Sequence, residues 1–129
     1  MKALRTTKRK QGKGSLRRKD SEGTLHYCCL GIAVEVARKH GVPVKCSKMK
    51  VDGSYTYRDA NGASGGYLLT SVLEWFGFNS VDPQLKTPDG KGIYTASATR
   101  MNDTLNYDFK KIADAFELTF LSDEAGDTE

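Results

Sequence analysis

Apolar residues recur at intervals of three and four between positions 28 and 40, which predicts an amphipathic helix over that segment. Cys29 and Ile32 fall on its apolar face. Gly41 and Pro43 follow directly, and both residue types are typical of the end of a helix. This segment carries the strongest helical pattern of the chain.

Weaker patterns with the same spacing indicate further short helices. Each has an apolar face of only a few residues, so it must be stabilised by packing against other elements. Ser71 and Glu74 have the spacing of a capping box, in which each side chain bonds the other's backbone. The weaker helices are predicted at residues 2–8, from a cap at Thr70 or Ser71 to Gly77, at residues 96–102, and after a cap at Asp108.

Alternation of apolar and polar residues predicts two β-hairpins. In the first, residues 15–18 and 24–27 are short strands joined by a turn. In the second, alternating residues flank the pair Asp52-Gly53, which is a strong turn signal. The glycine-rich segment 61–66 and the proline-containing segment 79–92 are predicted to be loops.

Together these elements predict an α+β fold in which three or four short helices pack on one or two small antiparallel β-hairpins. The length of 129 residues suits one domain, spanning residues 1–129. No run of apolar residues is long enough to cross a membrane, and the N-terminus lacks the apolar segment of a secretory signal. We therefore expect a cytoplasmic protein without a membrane partner.

Charge is distributed unevenly along the chain. The net charge is +4, yet the first twenty residues carry nine Lys or Arg and one acid. Residues 1–14 are predicted to form a basic N-terminal arm. The last eight residues carry four acids and no base, and residues 122–129 are predicted to be an acidic, disordered tail.

An anion-binding site is predicted where the basic arm meets the helix predicted at residues 28–40. Glycines in the turn free backbone N–H groups, an arginine offers a planar fork of donors, and a helix start is electrostatically positive. A nearby Asn-Asp pair offers hydrogen bonds to a base or ribose. The candidate ligand-binding residues are Gln11, Gly12, Lys13, Gly14, Arg17, Tyr27, Cys28, Asn102 and Asp103.

The same residues also allow purely structural roles or a catalytic role. The glycine turn can be a plain flexible turn, and Asn102-Asp103 can be helix-capping residues. Cys28 stands at a helix start, where the dipole favours a thiolate, so it can be a nucleophile with His26 as base. The three cysteines and two histidines lack zinc spacing, and we expect no metal and no cofactor.

Four segments of the chain resemble a group of small bacteriophage-encoded proteins of uncharacterised function. The first two are Gln11-Gly12-x-Gly14-x-Leu16-Arg17 and Tyr27-Cys28-Cys29-Leu30-Gly31. The other two are Asn102-Asp103 and Phe109-x-x-Ile112-Ala113-Asp114. The resemblance implies a phage origin and expression in the cytoplasm of a bacterial host.

We therefore expect a phage accessory binding protein, with no enzymatic activity favoured. Its partner would be an anionic, nucleotide-like small molecule or a host protein, and binding would antagonise a host defence or signalling pathway. The alternatives are a nucleic-acid-binding accessory protein that uses the basic arm, and a small cysteine-dependent hydrolase or transferase. A homo-oligomer is left open.

Overall fold

The computed structural model describes residues 2–89 and 94–121, and it confirms the α+β fold. The acidic tail predicted at residues 122–129 lies outside the described residues. Within the described ranges the helices are α1 (Lys2–Thr6), α2 (Cys29–Lys39), α3 (Thr70–Phe76), α4 (Ala98–Asp103) and α5 (Phe109–Phe116), followed by a π-helical turn at Glu117–Leu121.

The strands of these ranges are short and form three small sheets. They are β1 (Lys10–Gln11), β2 (Arg17–Lys19), β3 (Leu25–Tyr27), β4 (Lys45–Cys46), β5 (Tyr57–Asp59), β6 (Gly62–Ser64), β7 (Gln84–Lys86) and β8 (Thr95–Ser97). The sheet orders are β1-β3-β2, β4-β5-β6 and β7-β8. All pairings are antiparallel except that of β1 with β3, which is parallel.

Both predicted hairpins are present, as β2–β3 and β4–β5, and the turn of the second lies at Asp52-Gly53. The two predicted loops were wrong in part. Residues 62–64 form β6, and residues 84–86 form β7, in which Leu85 is fully buried. Two- and three-residue strands are too short to show an alternating pattern, so only their tertiary pairing reveals them.

Helix α2 is the centre of the core. Its N-cap is Cys28 and its C-cap is His40, and Gly41 beyond it has a φ of 94°. Gly31 faces β2, where a Cβ atom would lie 1.8 Å from the carbonyl oxygen of Leu16. The helix can therefore approach the backbone before β2 only because residue 31 has no side chain.

Residues 2–11 of the predicted basic N-terminal arm form α1 and β1 and pack against the rest of the fold. Leu4 of α1 is only 2% exposed. Arg5 of α1 reaches α5 and the turn after it, where its guanidinium lies 2.7 Å from Asp114 and 2.8 Å from Glu117. These ion pairs hold α1 against α5, and α1 also packs against α2.

The predicted capping box at the start of α3 was wrong. The N-cap residue is Leu69, which has no side-chain hydrogen bond, and the cap comes from Asp59 at the end of β5. One oxygen of Asp59 accepts hydrogen bonds from the backbone and the hydroxyl of Ser71, at 3.0 and 2.7 Å. The other accepts from the backbone N–H groups of Asn61 and Gly62.

Asp59→Ala should lower the free energy of unfolding by about 1–2 kcal/mol at pH 7, because it removes a helix cap and a turn contact together. Although burial opposes the effect, hydrogen bonds from Ser71, Asn61 and Gly62 hold the pKa of Asp59 below its usual value. Its contribution is therefore complete above the unfolded-state pKa of about 3.9, and it is lost as the pH falls through the folded-state pKa.

Urea denaturation of both proteins at pH 7 and in increasingly acid buffer measures this effect. The difference between wild type and Asp59→Ala should shrink as the pH falls below about 4. A difference that stays constant with pH would mean that the ionised carboxylate is not what caps α3.

Candidate functional site

Asn102 of α4 is a buried polar residue with a complete set of hydrogen bonds. Its side-chain oxygen accepts from Gln11 Nε2 at 2.9 Å and from the backbone N–H of Cys29 at 3.2 Å. Its amide nitrogen donates to the Gly12 carbonyl at 2.6 Å and to Asp103 at 2.8 Å. These are all the bonds that an Asn side chain commonly makes. We call this group of five residues the Asn102 network.

The glycine turn after β1 is also satisfied within the chain. The Gly12 N–H donates to the Tyr27 carbonyl at 2.8 Å, and the Gly14 N–H donates to a carboxylate oxygen of Asp103 at 3.2 Å. Lys13 is hydrogen-bonded to Asn106. The acceptor at this turn is thus the chain's own carboxylate, in the position where a ligand anion was expected.

At the start of α2, the hydrogen-bonding group of Cys28 is likewise occupied within the chain. Cys28 is only 3% exposed, and its N–H donates to the Leu16 carbonyl. Burial raises the pKa of the Cys28 thiol to about 11, although the N–H groups of Gly31 and Leu30 lower it. Cys29 is fully buried, and burial raises its pKa as well. Burial therefore outweighs the helix dipole, and both thiols stay protonated near neutral pH.

Arg17 is held in a separate cluster of aromatic residues. Its guanidinium lies 4.5 Å from the ring centre of Tyr55 and 5.7 Å from that of Tyr27. Its Nη1 atom is 3.6 Å from the sulfur of Cys46 and 4.0 Å from a carboxylate oxygen of Glu35. Arg17 and Tyr27 of the predicted site thus lie together, whereas the described contacts of Arg17 do not include the glycine turn.

Glu35 also lines a concavity that is bounded by α1, α2 and residues 42–45. Its volume is about 800 Å³. Of the lining residues that the structure describes, four are cationic and one is acidic. We call it the basic groove; its charged residues are Arg9, Glu35, Arg38, Lys39 and Lys45. Its other residues are the hydroxyl-bearing Thr6 and Thr7 and an apolar floor of Ala3, Ile32, Val36, Val42, Pro43 and Val44.

Glu35, the acid of the groove, is already neutralised. Its side chain is 13% exposed, and one oxygen accepts from Arg38 at 2.8 Å and from the Tyr57 hydroxyl at 2.5 Å. Burial and the hydrogen bond to Glu35 raise the pKa of Tyr57, so this hydroxyl remains a donor. Arg38 also lies 5.7 Å from the centre of the Tyr57 ring.

The remaining cations of the groove have no carboxylate partner among residues 2–89 and 94–121. They are Arg9, Lys39 and Lys45, of which Arg9 stacks 5.2 Å from the ring centre of Tyr27. Three uncompensated positive charges around one concavity give it a positive potential. The groove can therefore accept an anion, and its apolar floor can hold an uncharged ring.

Sequence reasoning missed the residues of the basic groove. Arg38 and Lys39 lie away from the apolar face of the helix predicted at residues 28–40, and no function was assigned to them. Arg9 and Lys45 reach the same concavity from segments 36 residues apart in the sequence. The local signals at these positions are the spacings of Glu35 from Arg38 (i, i+3) and from Lys39 (i, i+4).

The comparison with protein families gives a match over nearly the whole chain. Residues 1–120 match the model of a family described as Domain of unknown function (DUF8296). The chain belongs to this family. No curated protein and no solved structure is significantly similar to it. The matched region includes the Asn102 network and the basic groove, and the family description assigns no activity to either.

Two further features bear on the chemistry of this DUF8296 chain. In the described residues, no three His, Cys, Asp or Glu side chains come together as a metal-binding group. No helix of the described part is both long and apolar enough to cross a membrane.

Proposed function

We propose that this protein binds an anionic, nucleotide-like ligand in the basic groove. The observation that carries the proposal is the set of three cations, Arg9, Lys39 and Lys45, that surround one concavity without a carboxylate partner in the described residues. Mutual repulsion between unpaired cations that converge on a concavity raises the free energy of the folded protein, and a bound anion relieves this repulsion.

The size and lining of the groove fit such a ligand. Sites for small molecules have volumes of about 300–1,000 Å³ and combine an apolar surface with a few placed polar groups. The groove has about 800 Å³, with an apolar floor that includes Ile32 and Val44. A base or ribose packs on that floor, and the phosphate group lies among the cations with the Thr7 hydroxyl as a further donor, because that hydroxyl only accepts a bond from the Arg9 N–H.

The ligand-binding residues predicted from the sequence have two different roles in this proposal. Arg17 and Tyr27 contact charged residues of the groove and so help to position them. The Tyr27 ring packs against Arg9, and Arg17 lies near Glu35. The glycine turn, Cys28, Asn102 and Asp103 hold the fold together. Their hydrogen-bonding groups are already occupied, so a ligand there would have to displace internal bonds.

We propose a biological setting from the resemblance to bacteriophage proteins. A phage accessory protein in the bacterial cytoplasm that captures a nucleotide signal would antagonise host defence or signalling. A host protein with an acidic surface and a nucleic-acid strand remain the competing partners. The cysteine-dependent enzyme is disfavoured, because burial keeps the Cys28 thiol protonated.

Lys39→Gln should weaken the binding of nucleoside 5′-monophosphates about five- to tenfold, which corresponds to roughly 1–1.4 kcal/mol. Lys39 is exposed and has no ion pair in the described residues, so the substitution should leave the melting temperature unchanged. Isothermal titration calorimetry with the four monophosphates measures the affinity. The matched control is Lys110→Gln on α5, which removes an exposed charge away from the groove.

Equal losses from both substitutions would indicate diffuse attraction and would favour nucleic acid. Binding of nucleic acid also requires the affinity to fall steeply with salt. For single strands, the logarithm of the binding constant falls with the logarithm of the salt concentration with a slope of about −0.7 per phosphate contacted. Unchanged affinity in Lys39→Gln, beside measurable binding by the wild type, would remove the groove as the site.

A further inference from the structure

The basic groove continues past Lys45 into a second hollow of about 350 Å³. Pro43 and Lys45 line both concavities, so they form the joint between them. Arg58 lines the second hollow but not the first. A positively charged path therefore runs from α2 to the edge of the β4-β5-β6 sheet.

Lys45 and Arg58 stand directly opposite each other in the antiparallel pairing of β4 with β5. Like charges at opposite positions of two strands destabilise a sheet, because their side chains lie close together on one face. Both residues are exposed, and neither has a carboxylate partner in the part of the chain that the structure describes. An anion that binds between the two side chains would relieve the repulsion between Lys45 and Arg58.

The acid that lines the second hollow forms no ion pair with Lys45 or Arg58 in the described residues. Asp59 also lines the second hollow, but its two oxygens accept four hydrogen bonds from Ser71, Asn61 and Gly62. These bonds hold the carboxylate at the start of α3. Lys45 and Arg58 thus stand as two cations against one ionised carboxylate, and the lining of the hollow stays positive overall.

We infer that Lys45 and Arg58 form a second anion subsite, and that the ligand carries two separate phosphate groups. This inference rests on the proposed function, because the first phosphate occupies the basic groove. Opposite residues of an antiparallel pair have Cα atoms about 4.5–5.5 Å apart, so both side chains reach a single phosphate. A linear dinucleotide with a 5′-phosphate has the required two anionic groups, joined by a nucleoside that spans the joint at Pro43.

Arg58→Gln tests the second subsite, because Arg58 lines only the second hollow. The probes are the four nucleoside 5′-monophosphates and the four 5′-phosphorylated homodinucleotides, each titrated calorimetrically into the full chain. The wild type should bind a dinucleotide at least about tenfold more tightly than the matching monophosphate, because a second charge-assisted contact is made. Arg58→Gln should remove about tenfold of dinucleotide affinity and leave monophosphate affinity within about twofold.

Lys39→Gln tests the first phosphate site in the basic groove, and Lys110→Gln is the control for the loss of a surface charge away from both hollows. If Lys39→Gln weakens both kinds of probe but Arg58→Gln weakens neither, the second subsite is rejected and the groove stands. If no probe binds, or if Lys39→Gln has no effect, the proposed function fails and the inference fails with it. Circular dichroism and thermal melting of each variant confirm that the exposed substitutions leave the fold intact.

Discussion

Gly31→Ala should lower the free energy of unfolding by about 3 kcal/mol or more, which is at the upper end for inserting a methyl group into a packed interior. The added Cβ would lie 1.8 Å from the Leu16 carbonyl oxygen and 2.8 Å from its carbonyl carbon. These are backbone atoms, and the same oxygen accepts the Cys28 N–H at 3.3 Å. The clash is relieved only if α2 moves away from the backbone at Leu16, just before β2.

Chemical denaturation of wild type and variant measures this loss. Gly65→Ala is the control, because a Cβ there would meet no atom within 4 Å and Gly65 does not have a positive φ. It should change stability by no more than about 1 kcal/mol, and a gain is allowed because alanine restricts the unfolded chain. Wild-type stability in Gly31→Ala would contradict the close approach of α2 to Leu16.

Asn102→Ala should cost about 3 kcal/mol, because it leaves several buried partners without a hydrogen bond. The Cys29 N–H, the Gln11 amide and the Gly12 carbonyl each lose the Asn102 side chain. Loss of the connection between β1, α2 and α4 should also broaden the unfolding transition. The exposed Asn79→Ala is the control and should change stability by less than about 0.5 kcal/mol.

Asn102→Asp separates the hydrogen bonds from the shape of the side chain. It keeps an acceptor for Gln11 and Cys29, but it replaces the donor to Gly12 with a carboxylate beside Asp103. A buried carboxylate next to another favours its neutral form, so the loss should be large at pH 7 and smaller near pH 5. A loss that is equal at both pH values would contradict the burial of the residue-102 side chain beside Asp103.

The elements that sequence predicted well are those whose signals lie within a few residues. Helix α2 has a continuous apolar face, α5 begins where Asp108 caps the Lys111 N–H, and the turn at Asp52-Gly53 is local. The parallel pairing of β1 with β3 and the cap that Asp59 supplies to α3 join residues 12 or more positions apart. Local patterns carry no information about such contacts.

Part of the candidate site comes together in the structure, and its use as a ligand site stays a prediction. Gln11, Gly12 and Gly14 do lie beside Asn102 and Asp103. Glycines, amides and carboxylates bind each other with the same chemistry that binds a ligand, so sequence cannot distinguish an internal partner from an external one. The segments that carry the resemblance to phage proteins include these residues, and here their side chains hold the fold.

The basic groove was not predictable in the same way. Its cations come from the segment before β1, from the end of α2 and from β4, and none belongs to a recognisable motif. On the sequence each of them is an ordinary exposed Lys or Arg. Only the packing of α1 against α2, which depends on buried Leu4, brings Arg9 to the same concavity as Lys39.

The central claim is that an anionic nucleotide binds in the basic groove and not at the glycine turn. Titration of the ¹⁵N-labelled protein with nucleoside 5′-monophosphates, followed by backbone amide NMR shifts, tests it with residue resolution. The amides of Thr6, Thr7, Lys39 and Lys45 should shift in a saturable manner, while those of Gly12 and Gly14 should stay within the experimental error. Shifts confined to Gly12 and Gly14, or no saturable shift in either region, would contradict it.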